Sequence, residues 1–95
     1  VGAAGFELAN GLLDAFVATV NDVARSVNSS TPPTARSRKL INLLPSSCRR
    51  INDPAWCSSA YVRLIAILDY ITSMTDHHAV SLYKKIKGIS IASNL

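Results

Sequence analysis

The sequence predicts an all-α protein: one domain over residues 1–95, folded as a small antiparallel up-down four-helix bundle with one disulfide. Three observations carry this expectation. Apolar residues recur every three or four positions from Phe6 to Val27. The pair Asp53-Pro54 opens a second long apolar stretch. Apolar residues make up 48% of the chain and charged residues 17%, a balance that excludes disorder and suits a core that is large for the length.

The first helix is expected over residues 5–27. Phe6, Ala9, Leu13, Phe16, Val20, Val23 and Val27 form its stripe, with Glu7, Asp14 and Asn21 on the water side. Leu12, Val17 and Ala24 widen the stripe beyond a two-helix seam, so the helix should dock in a multi-helix core. Gly11 weakens the helix interior by about 1 kcal/mol relative to Ala. It shares a face with Ala18, where another helix could approach closely. The following "NSSTPPTA" is a loop, since Pro32-Pro33 cannot continue a helix, and Asn28-Ser29-Ser30 within it is a glycosylation sequon.

A short second helix is expected over residues 34–44, ended by Pro45. Arg36, Arg38 and Lys39 sit in its early turns, where positive charge opposes the helix dipole, which implies another role or an acidic neighbour. The third helix is expected over residues 54–74, with Asp53 as N-cap and Pro54 at the first position. Trp56, Ala60, Leu64, Ile67, Leu68, Ile71 and Met74 share its broad apolar face, and Arg63 and Asp69 are the only charges inside it. The fourth, over residues 76–87, is capped by Thr75 or Asp76. Lys84, Lys85 and Lys87 suit its C-terminal end, and Gly88 is a natural stop before a short tail, "ISIASNL".

Cys48 and Cys57 lie in "SSCRRINDPAWCSS" with no second pair, so they do not form a structural zinc motif. Free buried thiols and a disulfide compete as readings. A disulfide would close a ring of about ten residues and contribute roughly 2.5–3 kcal/mol, and it is the preferred one. His77 and His78 are adjacent and point about 100° apart on a helix, so they cannot chelate one ion as residues four apart do. The acids occupy ordinary cap and polar-face positions, except that Asp69 in "LIAILDYIT" is expected to be half-buried and paired with a base from another helix. No nucleophile–base–acid set and no phosphate-binding glycine loop is legible, so the chain reads as a non-enzyme without metal or cofactor.

Net charge is +4, with acids gathered in the first quarter and bases in the middle and end. The longest apolar run, Leu64 to Leu68, is far short of the roughly 20 residues a membrane span needs. "VGAAGFEL" has neither initiator Met nor a basic leader start, so Val1 reads as a processed or trimmed end. Together these features predict a small secreted, extracellular interaction protein. Its partner would be macromolecular and anionic, met by Arg36, Arg38, Lys39, Arg49, Arg50, Lys84, Lys85 and Lys87. Asn28 is the glycosylation candidate. Sequence-specific nucleic-acid binding is disfavoured, because the aromatic residues lie mostly on core stripes and the third helix is too apolar to read bases. Two alternatives stand beside this reading: a carrier of an apolar ligand between the helices, and a terminal assembly module of a larger protein, dimerising through the Phe6–Val27 stripe.

Overall fold

The computed structural model describes residues 3–93. The Phe6 side chain lies outside the described set, and with it the expectation that Phe6 begins the core stripe. The described residues form five α-helices and no strand: α1 (Ala3–Val27), α2 (Ala35–Leu40), α3 (Pro54–Ser58), α4 (Ala60–Thr72) and α5 (Asp76–Ser93). Two single 3-10 turns, Ile41–Leu43 and Ser46–Cys48, lie between α2 and α3. The all-α class is therefore as the sequence predicts. An antiparallel four-helix bundle is not: α1 packs against each of the other four helices, and the molecule measures 40 × 32 × 17 Å. A thickness of 17 Å corresponds to about two packed helix layers, and among the described residues Val27, Ile51, Tyr61, Ile65, Val80 and Ile91 are the exposed large apolar side chains.

The buried face of α1 is Leu12, Ala15, Phe16, Thr19, Val20, Val23 and Ala24. The predicted stripe thus holds in its middle but is rotated: Leu12 and Ala15 join the buried face, Leu13 is only partly buried, and Val27 is half exposed. Thr19, the polar member, donates its hydroxyl to the Ala15 carbonyl at 2.8 Å, which satisfies it within the helix. Near the end of α1, the Asp22 carboxylate accepts from the Thr34 N–H at 2.9 Å and from Arg25 at 2.8 Å. This clasp ties the proline loop back onto α1. Thr34 in turn caps α2, its hydroxyl accepting from the Ser37 N–H at 3.1 Å.

The predicted third helix is two helices. Asp53 caps α3 as expected, accepting from the Ala55 N–H at 3.0 Å. At Ser59 the backbone becomes extended, with φ −120° and ψ 112°, and the Ser59 hydroxyl restarts the chain as α4 by accepting from the Val62 N–H. A serine in an apolar helical run looks neutral in a sequence; here it caps one helix while standing just past the end of another. The last helix begins as predicted, with Thr75 accepting from the His78 N–H at 3.1 Å. It does not stop at Gly88. That glycine has no positive φ and open space around it, and Ile89 beyond it packs on the core, so α5 continues to Ser93.

The core is one cluster, with Phe16, Trp56, Leu12, Leu40 and Ile67 fully enclosed. Each such side chain contributes roughly 1.5–3 kcal/mol by leaving water. The expected Cys48–Cys57 disulfide is absent. The Cys48 thiol is buried and donates toward the Ala66 carbonyl of α4 at 3.4 Å, whereas the Cys57 thiol turns back to the Ile51 carbonyl at 3.1 Å. The segment between them makes its own turn, closed by Asp53 N–H to Arg50 carbonyl at 2.9 Å. The two thiols are thereby committed to different neighbours.

Candidate functional site

A groove of about 610 Å³ runs along one face of α4. Tyr61, Ile65, Asp69 and Ser73 line it at four-residue spacing, one step apart on the helix surface. Ser47, Arg50 and Trp56 complete it from the chain before α4. Tyr61 is 71% exposed and Ile65 37%, a high exposure for large apolar side chains beside a cavity. Trp56 is fully buried, and its indole N–H has no hydrogen-bond partner among the described residues. An indole donor normally finds an acceptor when buried.

Trp56 is held in place by the residue that sequence reasoning passed over. Arg63 is buried, with its guanidinium 5.8 Å from the Trp56 ring centroid. Its Nε donates to the Asn21 side-chain oxygen at 3.0 Å, and its Nη1 to the carbonyls of Trp56 at 2.6 Å and Cys57 at 3.1 Å. Asn28 also donates to the Cys57 carbonyl, at 3.1 Å. Arg63 therefore closes the C-terminal end of α3, where a cation meets the negative end of the helix dipole, and joins α1, α3 and α4. Among the described residues, no carboxylate pairs with it. The available signal was its position: a lone cation inside an apolar helical run, four residues after the break at Ser59.

Asp69, expected to be half-buried and ion-paired, is instead exposed on the groove without an ion pair among the described residues. Arg50 is paired to Asp53 at 3.0 Å. Burial pushes the Cys48 thiol above its ordinary pKa, with further contribution from Asp69. Burial likewise raises the Tyr70 phenol, and Cys48 adds to that. Both groups stay protonated at neutral pH; Tyr70 lines the groove, whereas Cys48 is buried and is not part of its lining. Among the described residues, no three His, Cys, Asp or Glu side chains cluster to hold a metal ion, and no helix is long and apolar enough to cross a membrane.

The eight basic residues singled out from the sequence do not form one patch. Arg36 and Lys87 meet at a cavity between α1, α2 and α5; Lys39 and Lys85 share a shallow groove nearby. Arg38 is turned to the Pro33 carbonyl at 2.7 Å. Arg50 lies on the α4 groove, Arg49 beside Val23 and Ile51, and Lys84 on open surface. Asn28 is exposed, with its side-chain nitrogen committed to Cys57.

Comparison with known proteins gives one kind of relative. The chain is 32% identical over 94 residues to a deoxyguanosinetriphosphate triphosphohydrolase-like protein of Listeria monocytogenes, and equally to one of Listeria innocua. The match covers 92% of this chain and 19% of each relative. The chain thus spans about a fifth of the length of the curated relatives it matches. No family model matches it, and no solved structure gives a significant match. These relatives overturn the expectation of a secreted, non-enzymatic interaction protein: the chain is similar to a stretch of an enzyme-like protein. Short length, high apolar content and the lack of a legible catalytic set do not by themselves separate a small secreted domain from a stretch similar to part of a longer protein.

Proposed function

We propose that this chain is a helical portion of a larger deoxyguanosinetriphosphate triphosphohydrolase-like protein and works as part of that enzyme. The observation that supports the reading is 32% identity through 92% of the chain. A similarity of that reach runs through nearly the whole chain, rather than through one short motif that unrelated chains can share. The α4 groove is in keeping with it. A 17 Å thick helical layer that leaves Tyr61 and Ile65 open is a natural surface for further polypeptide to cover.

The test is to express the complete reading frame that contains this chain and follow the loss of deoxyguanosine triphosphate. The expected result is hydrolysis by the complete product, and its loss when the helical segment is deleted. A complete, folded product that leaves deoxyguanosine triphosphate intact overturns the proposal.

A further inference from the structure

We propose that the cavity between α1, α2 and α5 is a binding site for a phosphate group, with Arg36 as its anchor. The cavity is about 400 Å³ and is lined by Arg36, Lys87 and Ser90, with Asp14, Gly11 and Tyr83 on its other sides. Arg36 is half-buried, and its Nε donates to the Ser90 hydroxyl oxygen at 2.9 Å, across a sequence separation of 54 residues. That bond fixes the guanidinium plane. Nη1 and Nη2 make no hydrogen bond among the described residues, and the Ser90 oxygen, having accepted from Arg36, keeps its own O–H to donate. Lys87 has its ammonium 5.2 Å from the Tyr83 ring centroid, an attraction to the ring face rather than to a carboxylate.

The arrangement explains two otherwise awkward choices in the sequence. Arg36 sits in the early part of α2, where its charge opposes the helix dipole, and it has no ion pair among the described residues. Gly11 sits mid-helix because a Cβ there would stand 2.8 Å from Tyr83 Cε1; the glycine lets the ring that holds Lys87 lie against α1. A planar guanidinium with two free N–H groups matches two oxygens of a phosphate, and the ammonium and hydroxyl supply further donors. Asp14 is the one acid on the cavity, and it tempers the affinity. This proposal stands independently of the enzymatic reading.

The test is titration of the protein with inorganic pyrophosphate and with phenyl phosphate, read by calorimetry and by the Arg36 Nε–H resonance. Saturable binding is expected, about tenfold weaker in Arg36→Ala and about threefold weaker in Ser90→Ala. Asp14→Asn should tighten it about twofold to threefold. Lys84→Ala, which removes an exposed cation outside the cavity, should leave it unchanged. Tighter binding of phenyl phosphate than of pyrophosphate would identify the ligand as an ester using the Tyr83 wall; the reverse order would identify a free polyphosphate. If Arg36→Ala loses its helical circular dichroism, Ser90→Ala decides, and unchanged affinity there overturns the site. Equal weakening by Lys84→Ala and Arg36→Ala also overturns it, since it would mean diffuse charge.

Discussion

The Arg63 guanidinium donates to the Trp56 carbonyl at 2.6 Å and lies 5.8 Å from the ring of the same residue. One side chain thus closes the end of α3 and packs on its largest core residue. Because α3 is only five residues long, it has little helical cooperativity of its own. Its position depends on this bond and on the burial of Trp56.

Arg63→Met keeps the aliphatic stem but removes every donor, leaving the buried Trp56 carbonyl without its partner. We expect a loss of about 2–3 kcal/mol, read as a lower urea midpoint. Asn21→Ala removes only an exposed acceptor and should cost about 1 kcal/mol or less. An Arg63→Met variant as stable as the parent would remove Arg63 from its structural role.

Gly11→Ala sets two effects against each other. Helix propensity favours Ala by about 1 kcal/mol, while the new Cβ would meet Tyr83 at 2.8 Å and overpacking costs about 1–3 kcal/mol. The expected sum is a net loss of about 1 kcal/mol. In a Tyr83→Ala background the clash is gone and the same change should stabilise by about 1 kcal/mol. A thermodynamic cycle of the four proteins checks this; additive effects would show that the close approach has no energetic weight.

Asp22 predicts an acid-sensitive clasp. Burial alone would raise its pKa, but hydrogen bonds from the Thr34 N–H, Arg25 and Ser37, with the Arg25 charge, together lower it from 3.8 to about 2. The folded value lies below the unfolded one, so this contribution is present above pH 3.8 and is lost as pH falls through about 2. It amounts to about 1–2 kcal/mol once solvent screening is allowed for. Asp22→Asn should therefore be less stable than the parent at neutral pH and nearly equal to it at about pH 2. A stability gap that persists unchanged in acid would exclude the carboxylate as its source.

Both cysteines should titrate as free thiols, and reductant should not change the count. Cys57, partly exposed, should react with a disulfide reagent well before buried Cys48. Because burial raises the folded Cys48 pKa above its unfolded value, its stabilising contribution is full below the ordinary thiol range. It falls away as pH rises through the raised value. A native protein with no titratable thiol would restore the disulfide.

Much of the architecture is legible in the residue order. The three-four spacing of α1, the Asp53-Pro54 start of α3 and the Thr75 cap of α5 are local effects, decided by neighbours within one or two turns. So is the all-α class. The expected run of the second helix to Pro45 is not, since α2 ends at Leu40 and tightens into the 3-10 turn Ile41–Leu43. What the chain order does not reveal depends on groups far apart along it. The split at Ser59 rests on Arg63 and Asn21 reaching the end of α3. The separation of Cys48 from Cys57 rests on Ala66 and Ile51 taking the two thiols. The continuation of α5 past Gly88 rests on Ile89 packing on the core, and the pairing of Arg36 with Ser90 spans 54 residues. Periodicity specifies which face of a helix is apolar; it carries no information on which distant polar group will meet that helix's ends, and those meetings shaped both the breaks in the fold and the cavities where chemistry can occur.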